Sequence, residues 1–233
     1  MESTTADSFQ RQKSGLVVIL NMLDFTLAGP ILGIAASLDV ALHLYLDFKK
    51  SRGTGTHSFT EPHTNIPSAI MTAVSISTIL AFVLVALIPT AWILDVGEEV
   101  FSSIFPLFDP PEIVWLSGLL ILVIGIVLHG WSRYVRQDIA TSWEMTSEHS
   151  LILIGPYSRI RHPSYLSYFL SFGGLILVLP SLLTLLLVLG FPGYYMVSLV
   201  EEKHLLHHFG NQYRNYMAKT GRFFPSLKRR NPH

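Results

Sequence analysis

Five apolar stretches dominate this chain of 233 residues and leave it few folds to choose from. A helix needs about 20 mostly apolar residues to cross a bilayer. In hydrocarbon such stretches must satisfy their own backbone polar groups, which a helix does. The first runs from about Leu16 to Leu46, roughly 46 Å at 1.5 Å per residue. That is too long for one straight span, and Gly29-Pro30 is expected to kink it, because proline removes a backbone donor and clashes with the preceding turn. The second covers about Ile66–Leu94 and the third about Ile113–Trp131. The fourth and fifth, about Ser164–Leu179 and Ser181–Val200, meet at a tight turn at Pro180-Ser181.

Only 14% of residues are charged and half are hydrophobic, against about 25% charged in a soluble domain. The predicted fold class is therefore all-α: a polytopic membrane protein of about five transmembrane helices, with a C-terminal helical hairpin and a cytosolic cofactor pocket. Three regions are expected: a polar tail over 1–14, a three-span membrane region over 15–131, and a functional region over 132–233. The polar start contains two acids and no convincing cleavage site follows, so no removable signal peptide is predicted.

Charge placement orients the spans. No Lys or Arg occurs between Gly53 and Ser132, whereas 95–112 carries Asp95, Glu98, Glu99, Asp109 and Glu112. Basic residues gather at Lys49, Lys50 and Arg52, at Arg133, Arg136, Arg159 and Arg161, and at seven positions from Lys203 to Arg230. The positive-inside rule puts 47–65, 133–163 and 201–233 in the cytosol, and 95–112 across the membrane. Lys and Arg number 16, as do Asp and Glu, so net charge predicts no nucleic-acid partner. The absence of cysteine excludes disulfides, a thiol nucleophile and thiolate metal sites.

"GPYSRIRHPSY", residues 155–165, and "EEKHLLHHFGNQYRNYM", residues 201–217, share the cytosolic side in this topology. The 36 residues from Tyr165 to Glu201 suffice for one helix out and one back, at roughly 27 Å per leg. The hairpin should return Glu201 and Glu202 to the face that holds Arg161, His162 and Tyr165. A greasy substrate could reach such a pocket sideways from the bilayer. Carboxylates and aromatic faces stabilise a cation, while arginine and histidine hold a carboxylate. S-adenosylmethionine, a sulfonium with an amino-acid carboxylate, would use both; residue types alone leave it one option among several. Taken singly, "RHP" also reads as an interfacial anchor before a helix-starting proline, and the Glu pair as an N-terminal charge on a cytosolic helix.

At these residues the chain resembles the isoprenylcysteine carboxyl methyltransferase family, and more distantly the membrane phospholipid N-methyltransferases. The shared pattern is H-x-L, G-x-Y, R-H-P-x-Y, a helical hairpin, then E-E-x-x-L-x-x-x-F-G-x-x-Y. Here it is met by His149, Leu151, Gly155, Tyr157, Arg161, His162, Pro163 and Tyr165, then by Glu201, Glu202, Leu205, Phe209, Gly210 and Tyr213. The resemblance covers about residues 145–227. It implies a membrane methyltransferase using S-adenosyl-L-methionine, which His149, Ser150, Leu151, Ile152, Tyr157, His162, Pro163, Ser164 and Tyr165 would line, with Glu201 opposite. Arg161 would lie near the methyl-accepting group and orient it. The implied partners are membrane lipid and a lipophilic substrate, with the carboxylate of a prenylated protein C-terminus leading. The implied location is the endoplasmic reticulum membrane of a eukaryote. One position departs from the pattern: members that methylate prenylcysteine carry an arginine four residues before the first cofactor glutamate, and here that position is Val197. Another lipophilic acid, phenol or amine therefore stands as an alternative acceptor.

Other polar residues compete for a role. "HLLHH", residues 204–208, has the H-x-x-H-H spacing of membrane di-iron oxidases, and Glu201 with His204 forms E-x-x-H. No second histidine box accompanies them, so no metal is expected, and a metal-dependent lipid oxidase or a non-enzymatic scaffold remain as other classes. Asp24, Asp39 and His43 lie within the first apolar stretch, where ionisable groups are costly to bury. Asp39 and His43 are four apart and should satisfy one another. His129 reads as snorkelling, and Gly29 with Gly33 as a close-packing G-x-x-x-G.

Overall fold

Among the described residues, each apolar stretch is helical, and the hairpin between the last two is turned by residues the sequence encodes locally. The computed structural model describes residues 26–49, 66–102, 108, 110–136 and 150–226. In chain order these form α1 (Thr26–Lys49), α2 (Ser68–Ile93), α3 (Gly97–Ser102), α4 (Glu112–Arg136), a 3-10 turn at Gly155–Ser158, α5 (Pro163–Val178), α6 (Leu182–Leu185), a second 3-10 turn at Leu186–Leu189, α7 (Gly190–Phe209) and α8 (Asn211–Lys219). Asp24, His149, the tail 1–14, the segment 50–65 and positions 227–233 lie outside the described residues.

Among the described residues, four helical runs are long and apolar enough to cross a membrane: α1, α2, α4 and the continuous run Leu182–Phe209. The fifth predicted span, α5, is also apolar but has only 16 residues. Large side chains such as Ile34, Leu38, Ile79, Val83, Leu120 and Val127 face outward. An apolar exterior on this scale is stable only in hydrocarbon, and the chain is an integral membrane protein. Hydroxyls within the spans bond backbone carbonyls of their own helix, as Thr78 does to Val74 at 2.7 Å, or of a neighbouring one, as Ser77 does to Leu186 at 3.2 Å.

Three local expectations are refined. α1 is helical straight through Gly29 and Pro30. Gly29 and Gly33 do pack closely, against α2: a Cβ at position 29 would fall 2.3 Å from Trp92 Cγ, and one at 33 would fall 3.3 Å from Pro89 Cβ. At the hairpin, Ser181 and Thr184 form a reciprocal capping box that starts the return leg after Pro180. The return helix then continues past Val200 to Phe209, so Glu201 and Glu202 sit inside α7 and not at the start of a separate helix. Nothing between Val200 and Phe209 breaks a helix; Gly210 does so, with φ +52°.

The core lies where α2, α4, α5 and the return helix meet, around Leu84, Leu122, Phe172, Leu175, Leu187 and Val197. α4 and α5 touch through glycines: a Cβ at Gly174 would lie 2.7 Å from the Leu122 nitrogen and 2.8 Å from the Gly118 carbonyl oxygen. Backbone cannot yield as a side chain does. Gly174→Ala is therefore expected to cost about 1–3 kcal/mol, read as a lower thermal unfolding midpoint in detergent. Gly173→Ala, one residue away with open space at its Cβ, is the matched control.

Candidate active site

The hairpin brings together what the sequence keeps 40 residues apart. His162 caps the start of α5, with Pro163 at the first helical position, where a missing N–H costs nothing. Its Nδ1 lies 3.4 Å from Glu201 Oε2 and its Nε2 lies 3.2 Å from Glu202 Oε1. Tyr157 and Glu201 therefore stand at the same end of the bundle, around one cavity of about 320 Å³.

The tail closes this cavity. Arg161 and His162 donate their backbone N–H groups to the carbonyls of Gly221 and Arg222 at 2.9 and 3.0 Å, and Gly221 N–H donates to Arg159 at 3.2 Å. This short parallel pairing is reinforced by the Tyr216 hydroxyl, which donates to the Tyr157 carbonyl at 2.6 Å. Gly155, with φ +58°, lets the chain turn beneath it; a Cβ there would lie 2.8 Å from Val135.

Glu202 is the electrostatic hub. Its carboxylate accepts from Arg161 Nε at 2.7 Å, from Arg222 Nε at 3.1 Å and from Arg222 Nη2 at 2.6 Å. Arg161 also donates to the carbonyls of Met217 and Thr220. Those contacts make the arginine a clasp between loop and tail, in addition to its place in the cavity wall. Arg222 and the Glu202 hub were not singled out from the sequence.

Glu201 differs from its neighbour. Its Oε2 is buried and makes no hydrogen bond, although it has a 3.4 Å ion-pair contact with His162 Nδ1, and the buried Tyr213 hydroxyl makes no hydrogen bond either. Both residues line the cavity. Buried polar atoms without partners are rare and costly, so two of them on one cavity point to a ligand that supplies the partners. Around them is an aromatic wall: His162 stacks on Tyr165 at 5.3 Å, Tyr165 meets Tyr194 at 5.0 Å, and Tyr194 stacks on Tyr168 at 4.8 Å.

Burial holds the Tyr157 and Tyr213 phenols above their usual range and keeps them neutral. For His162, burial alone would lower the pKa, but hydrogen bonds and charge from Glu201 and Glu202 outweigh it, and the net shift is upward. A raised histidine stabilises the fold fully below its unfolded value, about 6.5, and loses that stabilisation as pH rises through the folded value. The unfolding midpoint should therefore fall from near-neutral pH upward, and His162→Gln should flatten that slope. A slope unchanged in His162→Gln would assign it to another group.

Of the residues singled out from the sequence, Ser150, Leu151, Ile152, Tyr157, Arg161, His162, Ser164, Tyr165 and Glu201 all line this cavity. Pro163 is buried and fixes the start of α5, and it is not among the lining residues. Val197, where the resembling family carries arginine, is also in the wall; Arg136 joins it from the last turn of α4. The histidines at 204–208 lie on the last turns of α7, with His207 and His208 exposed. The described residues that do approach metal-ligand spacing lie elsewhere: Asp39, His43 and His129. His129 is an inward-facing member of that group, its side chain 12% exposed, and so does not snorkel.

Comparison with known proteins places the match on this same part of the chain. Residues 113–212, from α4 to the start of α8, match the family model of phospholipid methyltransferase. A protein-S-isoprenylcysteine O-methyltransferase of Xenopus laevis is 30% identical over 134 residues, 54% of this chain and 46% of that protein. A methanethiol S-methyltransferase of Pseudomonas deceptionensis is 36% identical over 84 residues, 33% of this chain and 28% of its own. A solved structure of the eukaryotic intramembrane Ras methyltransferase ICMT (isoprenylcysteine carboxyl methyltransferase) aligns over 91% of this chain and 74% of its own, with a TM-score of 0.48 and 22% identity. The chain spans about half the length of the isoprenylcysteine O-methyltransferases it matches. The resemblance read from the motifs is thus found by comparison as well.

Proposed function

We propose that this chain is a membrane-embedded methyltransferase that moves a methyl group from S-adenosylmethionine to a lipophilic acceptor reaching the cavity from the bilayer. The observation that carries this reading is the pair of buried atoms that make no hydrogen bond, Glu201 Oε2, which meets His162 Nδ1 at 3.4 Å, and the Tyr213 hydroxyl, set in an aromatic wall. Anionic oxygen and ring faces suit a sulfonium that also bears an ammonium group. When bound, that cofactor supplies an electrophilic methyl group.

The chain's own residues do the rest. Glu201 holds positive charge, and Tyr165, Tyr168 and Tyr194 present ring faces beside it. Ser150, Leu151, Ile152, Tyr157 and Ser164 line the cavity, and His149 precedes them in the matching motif. Pro163 contributes by fixing where α5 begins. Arg161 is a positioning residue: it holds the tail against the loop through Glu202, and so shapes the wall. Transfer needs donor and acceptor in line and water excluded. The tail strap and the apolar helices provide both.

The relatives named protein-S-isoprenylcysteine O-methyltransferase support the carboxylate of a prenylated cysteine as the leading acceptor. An ionised carboxylate needs no base, only orientation, and Arg136 brings a cation to the cavity that Val197 does not. For a eukaryotic chain, the location this reading implies is the endoplasmic reticulum membrane, with the cavity facing the cytosol. The test is transfer of labelled methyl to an S-farnesyl cysteine derivative with a free carboxylate, using purified protein in detergent. Cofactor binding without transfer to that or any other lipophilic acid, phenol, thiol or amine would overturn the enzyme reading.

A further inference from the structure

We propose that Asp39, His129 and Tyr168 form a proton-accepting relay on the edge of the cofactor cavity. It would give the chain a further activity, methylation of a neutral lipophilic phenol or thiol held in a lateral apolar pocket. The inference rests on the methyltransferase reading above and extends its range of acceptors.

A second cavity, of about 100 Å³, lies among α1, α2, α4 and α5. Val40 and Phe82 form part of its wall and are half exposed on the lipid-facing side, so a greasy molecule can enter from the bilayer. Tyr168 belongs to the walls of both cavities. The polar groups behind it are ordered. His129 Nδ1 lies 3.3 and 3.2 Å from the two carboxylate oxygens of Asp39. A carboxylate only accepts, so Nδ1 carries the proton and Nε2 keeps its lone pair. That lone pair faces the Tyr168 hydroxyl at 3.3 Å, and the phenol donates to it. Tyr168 oxygen, which also meets the Tyr194 hydroxyl, has a lone pair left for a donor in the pocket. Gly130 makes this possible, because a Cβ there would fall 2.9 Å from Asp39 Oδ1.

The surrounding groups fit a relay better than a metal site. His43 Nδ1 donates to the Asp39 backbone carbonyl at 2.8 Å, and its ring stacks on His129 at 5.0 Å and 12°. Both Nδ1 atoms converge on Asp39, but each spends its N–H there, on the backbone carbonyl at 2.8 Å and on the carboxylate at 3.2 Å, and so offers no lone pair to a metal. Tyr194, behind Tyr168, is held by Thr78 at 2.6 Å, and Glu201 and Arg136 face Tyr168 from the cofactor cavity.

A carboxylate acceptor arrives ionised and has no proton to give, so this relay does nothing for it. A phenol or thiol must lose one as it reacts. As its heteroatom bonds to the methyl carbon, the carbon–sulfur bond breaks and its electron pair stays on sulfur. The acceptor proton passes to Tyr168 oxygen while the Tyr168 proton passes to His129 Nε2. The positive charge lost from sulfur reappears on an imidazolium paired with Asp39, and a base so placed is worth about 10²–10⁴ in rate.

The test has a binding arm and a turnover arm. In detergent, wild-type protein should bind 4-decylphenol about 10-fold more tightly than 4-decylanisole, which has no proton to donate. Both His129→Gln and Tyr168→Phe should abolish that preference. With labelled donor, wild type should methylate 4-decylphenol or 1-decanethiol, and Asp39→Asn and His129→Gln should each lower the phenol-to-carboxylate rate ratio at least about 30-fold. A phenol preference that survives both variants overturns the relay, as does stoichiometric zinc or iron that is lost in His43→Ala. Wild type that binds cofactor and methylates the farnesyl cysteine derivative, but neither phenol nor thiol, overturns this inference alone. Wild type that binds no cofactor overturns the methyltransferase reading with it.

Discussion

On the proposed reading, Glu201→Ala should weaken S-adenosylmethionine binding to the purified protein by at least about 100-fold, the loss expected when a buried charged hydrogen bond and its electrostatic attraction disappear together. Glu201 Oε2 is enclosed by the cavity and makes no hydrogen bond in the protein beyond its 3.4 Å ion-pair contact with His162, so it has bonding capacity left for the ligand. Glu201→Gln keeps the size of the side chain and should lose nearly as much, because the cofactor presents positive charge. Both variants should still fold, since the loop-to-tail contacts run through Glu202. Calorimetric titration measures the affinity, and the thermal midpoint reports folding. Binding retained within about threefold in both variants would remove the cofactor from this cavity.

Glu202→Ala has the opposite profile: its main effect is on stability. Glu202 is 5% exposed and faces Arg161, Arg222 and His162 together. Truncating it leaves the buried Arg161 guanidinium without its carboxylate and takes one of two carboxylates from the His162 imidazole, which keeps Glu201. Breaking such a pair costs on the order of 3–5 kcal/mol, roughly a 10 °C lower midpoint for a chain of this size. The local result is specific. The tail loses its clasp, so trypsin should cut beside Lys219 and Arg222 well before the helices unfold. Arg222→Ala, whose side chain is 24% exposed, should cost less, since water can solvate what is left. Equal protease resistance in wild type and Glu202→Ala would show that the hub does not hold the tail.

The hairpin and its consequence were legible because they depend on chain length alone: two helical legs must return Glu201 to the level of His162. The lining residues of 150–165 followed from a motif that is contiguous in sequence. What stayed hidden was contact between segments with no shared periodicity. Asp39 and His129 are 90 residues apart, and no pattern in either stretch points to the other, so His129 read as a surface group. Arg222 reaches Glu202 through a tail whose path is fixed by backbone pairing at Gly221, which side-chain chemistry does not reveal. Pro163 sits inside the motif and starts α5, as a proline before an apolar run is expected to do.

The 16 residues of α5 cover roughly 24 Å, several ångströms less than a hydrocarbon layer of about 30 Å. A leg that short favours a local dip of the surrounding lipid, because compressed acyl chains cost less than polar protein groups drawn into hydrocarbon. The dimple would form at the His162 end, where the polar cavity begins. Phosphate headgroups and water would then lie lower around this protein than elsewhere in the leaflet, and a soluble cofactor could arrive at a depth that flat lipid would deny it.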